Sequence, residues 1–363
     1  MTVSRMTRVR TSMDRLGIDA LLISLGADLP WLTGYTAMPL ERLTMLVLPA
    51  DGDAVMVVPQ LEAPRVVEDH DAFSLRSWPD TDDPVAIVAE LVGHRRTLGI
   101  ADRTWATFLL QLQARLPEAK WLPASLVTAP LRARKDPDEV HALAAASAAA
   151  DRVASQLVGG GIPLIGRTEA DVSADISRRL VAEGHQHVNF AIVGSGPNSA
   201  SPHHDAGPRQ IGPGEAVVCD FGGVMNGYCS DITRTVYTGP PPSEFRDLYL
   251  VLQSAQAAAV DAAAVGTPCE DVDGVARRII TDAGYGAHFI HRTGHGIGVE
   301  EHEDPYIVGG NCEPLAPGHA FSVEPGIYLA GKFGARIEDI VIAEAEGPRP
   351  LNAVAHDLAV VEA

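Results

Sequence analysis

Apolar positions keep two rhythms in the first third of this chain. Stretches with helical spacing, Arg5 to Leu16, Pro84 to Gly93 and Trp105 to Leu116, alternate with short apolar runs: ALLIS at 20–24, LTMLVLP at 43–49 and DAVMVVP at 53–59. Runs of that length predict strands, and strands interleaved with amphipathic helices predict an α/β domain over residues 1–128. The texture then changes at LRARKDPDEVHALAAASAAADRVASQLVGGG. Asp136 is placed to cap a helix, Pro137 suits its first turn, and Gly159 to Gly161 end it. A second domain is therefore expected over 129–363.

That second domain reads as a duplication. A shift of 100 residues lays GRTEADVSADISRRLVAEG on GTPCEDVDGVARRIITDAG, matching Gly166, Asp171, Val172, Arg178 and Gly184 to Gly266, Asp271, Val272, Arg278 and Gly284. The order of elements repeats too: long helix, second helix, strand pair. The strand pairs are EAVVCDFGGVMNGYCSDITRTVYTG in one half and HAFSVEPGIYL with ARIEDIVIAEA in the other. Asn226-Gly227 between alternating runs predicts a type I′ hairpin. Met225 then faces Tyr228, Gly222 faces Asp231 and Asp220 faces Thr233. Asp220 and Asp231 share a face, with Cα atoms about 7–8 Å apart.

Aspartates beside glycines usually face solvent or cap a turn. Asp220, however, shares its face with Val218 and Ala216, the face a core strand buries, and two unpaired anions there demand a cation. Glu324 in FSVEPG and Glu338 in ARIEDIVI repeat the anomaly. Two Asp and two Glu sum to −4, which two divalent cations neutralise. Carboxylate-rich sites with at most one imidazole favour Mn2+, with Co2+ or Zn2+ as alternatives, although one Mg2+ or Ca2+ ion uses the same residue types. HRTGHGIGVEEHEDP adds His291, His295 and His302. The first two have the H-x-x-x-H spacing of a helical zinc site, but Gly294, Gly296 and Gly298 argue against a helix.

Composition narrows the class. Acidic residues number 47 against 28 basic ones, for a net charge of −19, and the basic groups are scattered. Nucleic acid and anionic membranes are poor partners for such a surface. No apolar run approaches the ~18 residues of a membrane span, and MTVSRMTRVR leads into the amphipathic TSMDRLGIDALLISL, unlike a signal peptide. A cytoplasmic protein is expected. Cys219, Cys229, Cys269 and Cys312 lack paired spacing and are expected as reduced core residues.

These features converge on a family. Asp220, Asp231, His295, Glu324 and Glu338, in the contexts VVCDFGG, YCSDITRT, TGHGIG, SVEPGIY and RIED, resemble the pita-bread metallopeptidases across the whole second domain. The spacing of eleven between the two aspartates (231 − 220) fits as well. The resemblance implies an α+β fold: a pita-bread catalytic domain with internal pseudo-two-fold duplication, preceded by a smaller α/β creatinase-like domain, to which WLTGY is similar. It implies that Asp231 and Glu338 bridge two metals, that Asp220 chelates one, and that His295 with Glu324 completes the other.

Three features resemble the proline-specific branch: the N-terminal domain, the placing of His291 and His302 around His295, and the Pro-His of NSASPHHDAG. His203 lies seventeen residues before Asp220 (220 − 203), and His204 is read as a neighbour without a role. By this resemblance Glu324 carries the proton, His203 and His302 bind the scissile carbonyl, and His291 and Arg336 position substrate. Arg42, in WLTGYTAMPLERLTMLVLP, would meet a dipeptide's carboxylate if the N-terminal domain folds over the cleft; otherwise it is a solvated residue beside Glu41. The expected protein is a Mn2+-dependent, homodimeric Xaa-Pro dipeptidase (prolidase) acting on short proline-containing peptides. An Xaa-Pro aminopeptidase of longer peptides is the alternative. A creatinase-like hydrolase and a peptide-binding scaffold without turnover remain further readings.

Overall fold

The computed structural model describes residues 2–362, which divide into two compact units, Met1–Arg132 and Ala133–Ala363. In the first unit α1 (Thr2–Leu16), β1 (Ala20–Ile23), α2 (Asp28–Thr33), β2 (Met45–Pro49), β3 (Val55–Pro59), β4 (Ser74–Trp78), α3 (Pro84–Val92), β5 (Thr97–Ile100), α4 (Ala106–Arg115), β6 (Lys120–Pro123) and α5 (Ser125–Ala133) follow in order. The sheet runs β4-β3-β2-β1-β5-β6. Its core joins Leu22, Val47, Val57 and Leu98 of the strands to Val88 and Leu112 of α3 and α4. The three apolar runs form β1, β2 and β3. Periodicity gives no signal for the edge strands β4 and β6, because in SLRSW and KWLP every residue but Trp78 is exposed or only partly buried.

The second unit contains α6 (Pro137–Val158), α7 (Glu169–Ala182), β7 (His187–Ser195), β8 (Ala216–Met225), β9 (Tyr228–Thr238), α8 (Ser243–Ala262) and α9 (Cys269–Asp282). It continues through β10 (Gly294–Gly296), β11 (Glu303–Ile307), β12 (Ala320–Val323), β13 (Gly326–Leu329), β14 (Phe333–Arg336), β15 (Asp339–Glu344), β16 (Gly347–Pro350) and β17 (Ala359–Val361). Asp136 caps α6 in a full capping box with Glu139, and Pro137 opens the helix.

Duplication is visible in the backbone. Gly166 N–H bonds the Ile211 carbonyl as Gly266 N–H bonds that of Leu315, and His185 N–H closes α7 on Leu180 as Tyr285 N–H closes α9 on Ile280. Each half packs two helices on one sheet. Val153, Leu157, Val172 and Ile176 cover Val217, Cys219, Phe221 and Ile232 in the sheet β17-β9-β8-β7. Leu248, Leu252, Val272 and Ile280 cover Phe321, Val323 and Val341 of the sheet β11-β10-β12-β15-β16. Among the described residues no helix is long and apolar enough to cross a membrane.

The sheets meet where Thr233 of β9 bridges Glu338. Arg234, 1 % exposed, locks this seam: its guanidinium donates to the carbonyls of Thr233, Glu338 and Val354 and to Asp339 Oδ1, at 2.7–2.9 Å. Arg234→Met removes the buried cation and strands those acceptors. The expected loss is about 3 kcal/mol of unfolding free energy, read from urea denaturation.

Candidate metal centre

The hairpin sets the first two carboxylates. Asn226 and Gly227 both have positive φ, 53° and 80°, as a type I′ turn requires, and Met225 pairs with Tyr228, Gly222 with Asp231 and Asp220 with Thr233. Both faces of β8 are buried up to Gly223. The helices cover the Val217, Cys219, Phe221 face, so burial of the opposite, Asp220 face has a different origin from the one its apolar neighbours implied: that face lines a cavity closed by the second half.

The second half supplies three more groups. His295 is the middle residue of β10, so the H-x-x-x-H spacing is not helical. Its flanking glycines are needed for close packing: a Cβ at Gly294 would lie 1.8 Å from the Ser322 carbonyl oxygen, and one at Gly296 2.2 Å from that of Asp304. Glu324 directly follows β12 and Glu338 directly precedes β15, strands that pair with each other.

Ligand atoms of Asp231, His295 and Glu338 all lie within 4.8 Å of one another. His295 Nδ1 is 3.1 Å from the Gly296 carbonyl and must donate to it, which turns Nε2 toward Glu324 Oε1 at 3.1 Å and Asp231 Oδ2 at 3.8 Å. Asp220 Oδ1, Asp231 Oδ1 and Glu338 Oε1 are buried without a hydrogen-bond partner. Burial, then repulsion among the carboxylates, pushes Asp231 and Glu338 well above the ordinary range; burial also raises Asp220, against the opposing pull of Arg336. For Glu324 burial acts upward, but the hydrogen bond and charge of His295 outweigh it and hold the group at about 2. Orphaned anionic oxygens around an imidazole nitrogen are a donor set that fits divalent cations.

This cluster opens into a cavity of about 740 Å³ that is also lined by His203, His291, His302 and Arg336. The His302 ring stands edge-on to His295, centroids 4.1 Å apart. His291 is engaged at both nitrogens, by the Arg292 carbonyl at 2.7 Å and Tyr328 OH at 2.9 Å. Arg336 grips Asp220 Oδ2 at 2.5 Å and also donates to Tyr328 OH and Thr233 Oγ1. Arg42 belongs to the N-terminal unit, where Asp80 and Glu41 hold its guanidinium at 2.6–3.1 Å.

A family model for metallopeptidase family M24 matches residues 140–345, and one for the creatinase/prolidase N-terminal domain matches residues 5–134. The chain belongs to metallopeptidase family M24. As an M24 peptidase it is 45 % identical over 350 residues to a probable dipeptidase, PepE, of Mycobacterium tuberculosis, covering 95 % of this chain and 92 % of that one. It is 34 % identical to the Xaa-Pro dipeptidase of Lactobacillus helveticus, covering 94 % and 95 %. The crystal structure of a recombinant prolidase from Thermococcus sibiricus superposes with a TM-score of 0.94 at 36 % identity, over 100 % of this chain and 99 % of that one. The architecture is thus a creatinase-type N-terminal domain followed by a pita-bread domain, and M24 membership implies divalent metal ions.

Three features of this M24 peptidase differ from the picture its sequence suggests. With Arg336 included the buried groups sum to −3 rather than −4, a correction invisible without the 116-residue contact to Asp220. His204 has a partner after all: its Nε2 lies 2.8 Å from Glu169 Oε2. Cys312 is exposed, unlike Cys219, Cys229 and Cys269, because it lies in the loop between β11 and β12. The apolar wall of the cavity joins Phe190 and Ile192 of β7 to Ile290 in the loop before β10, about 100 residues away, and no local pattern links them.

Proposed function

We propose that this M24 peptidase hydrolyses the bond preceding proline in short peptides, dipeptides above all, with two divalent cations, Mn2+ in the working enzyme. The observation that carries the reading is the Asp231, His295, Glu338 cluster, with unpartnered buried oxygens on Asp220, Asp231 and Glu338, in a cavity that also holds His203 and His302. The Xaa-Pro dipeptidase and prolidase relatives support the substrate class. Family likeness is likewise the support for proposing a homodimer in the cytoplasm.

Asp220, Asp231, His295, Glu324 and Glu338 hold the cations. When bound, these supply Lewis acidity, making hydroxide available near neutral pH and polarising the scissile carbonyl. Glu324 takes the proton released by the attacking water and delivers it to the proline nitrogen, which leaves as a secondary amine. His203 and His302 donate N–H bonds to the carbonyl oxygen as its negative charge develops. Burial lowers the pKa of His291, so it orients substrate as a neutral ring fixed by Tyr328. Arg336 aims Asp220 and opposes the upward push of burial on its pKa. The Xaa-Pro bond has no N–H to satisfy, and Phe190, Ile192 and Ile290 suit an apolar ring.

Proline release from Xaa-Pro, compared with cleavage of Xaa-Pro-Xaa by the same metal-quantified sample, tests the reading. Equal or faster cleavage of the tripeptide converts it to an aminopeptidase. Arg42 is proposed to meet the dipeptide's carboxylate, so Arg42→Ala is expected to lower dipeptide turnover about tenfold, the scale of a charge-assisted pair, and to spare the tripeptide. Equal losses, or none, leave Arg42 only its ion pairs with Asp80 and Glu41. Arg292, which lines the cavity with its guanidinium 4.5 Å above the Tyr306 ring, is then the next cation to replace.

A further inference from the structure

His203 makes no side-chain hydrogen bond among the described residues, and its exposed ring lines the cavity. Its aim is therefore set by the backbone that carries it. That backbone is held from behind by one carboxylate. Glu169, the first residue of α7, has a side chain 0 % exposed. Its Oε1 accepts from Ser195 N at 2.8 Å, Ser195 Oγ at 2.7 Å and Asn198 Nδ2 at 3.1 Å. Its Oε2 accepts from Asn198 Nδ2 at 3.1 Å and His204 Nε2 at 2.8 Å.

Every one of these donors belongs to residues 195–204, which run from the end of β7 through the short 3-10 turn Gly196–Ala200 to His203 and His204. On the far side Ser199 Oγ accepts the Gly334 N–H at 2.8 Å, and the Pro202 carbonyl accepts from Arg336 Nη2 at 3.4 Å. Glu169 is ionised: burial acts upward, but the bonds from Ser195, His204 and Asn198 outweigh it and lower its pKa. A buried anion directed wholly at one loop adds little to net stability, because desolvation offsets its hydrogen bonds. What it gives is a fixed loop geometry next to reacting groups.

We propose that Glu169, through His204, is a positioning residue that holds His203 in its working orientation; the inference rests on the hydrolysis proposed above. The test is a double-mutant cycle on metal-loaded protein, with kcat and KM measured on an Xaa-Pro dipeptide. Glu169→Gln and His204→Gln are each expected to lower kcat about 10- to 100-fold, the scale of a 1 Å misplacement, with metal content unchanged. In a His203→Ala background the same changes are expected to have almost no further effect, because the group they position is gone.

The same fold-loss in both backgrounds, or no loss in either single variant, overturns the proposal. His204 is half-buried, so His204→Gln carries the cycle if Glu169→Gln does not fold. If His203→Ala alone leaves turnover unchanged, the catalytic reading of His203 fails, and its positioning by Glu169 fails with it. A large His203→Ala effect without coupling removes the positioning proposal only.

Discussion

Chelation with EDTA is expected to lower proline release from an Xaa-Pro dipeptide about 1,000-fold, and Mn2+ is expected to restore it. The magnitude follows from the several kcal/mol that a Lewis acid contributes to such a barrier, at about 1.4 kcal/mol per factor of ten. The stripped centre would leave Asp231 and Glu338 as buried, mutually repelling carboxylates whose pKa values lie well above the ordinary range. Loading must displace their protons, so cation affinity should weaken as pH falls.

Stability gives an independent readout. A carboxylate whose folded pKa is raised contributes stability that is complete below its unfolded pKa, about 4, and is lost as pH rises through the raised value. EDTA-treated protein should therefore gain Tm as pH drops from neutral toward the ordinary carboxylate range, whereas Mn2+-loaded protein should lack that gain. Scanning calorimetry at a series of pH values checks it. Undiminished turnover by metal-free protein would sink the assignment and favour the creatinase-like reading.

Asp231→Asn should separate activity from stability. The variant loses one anionic ligand of the Asp231, His295, Glu338 cluster, so metal content should fall and kcat/KM should drop, again by about 1,000-fold. Yet the EDTA-treated variant should melt higher than EDTA-treated wild type near pH 7.5. Asparagine cannot acquire the buried charge that Asp231 takes on as pH rises through its raised pKa, a charge disfavoured by burial and by repulsion from Glu338, Asp220 and Glu324 when no cation is present. Wild-type turnover with wild-type metal content would take Asp231 out of the centre.

What the chain declares locally could be read from it. Asn226-Gly227 specified a turn whose register carried Asp220 and Asp231 to one face, and Asp136-Pro137 specified the start of α6. Glu324 and Glu338 were legible as anomalies, charges in strands otherwise apolar, although the β13–β14 hairpin separates them and no short turn announces their pairing. Contacts that depend on distant segments were not legible. Arg336 on Asp220 and Glu169 on His204 join residues 116 and 35 apart, and no local pattern encodes either. Edge strands failed for a related reason, since a strand with one neighbour and little burial needs no apolar alternation.

The joining of both halves at the Thr233–Glu338 bridge bears on how the molecule folds and comes apart. Asp231 and Glu338 are 107 residues apart (338 − 231), and neither half by itself assembles the Asp231, His295, Glu338 cluster. Contacts of such long range form late, after loop closure has been overcome. A cation bound there stabilises the completed native state by mass action and gives little to a folding nucleus or to a half-folded chain. Its kinetic signature belongs on the unfolding limb of the chevron: metal lengthens the lifetime of the finished molecule and leaves the rate of reaching it almost unchanged.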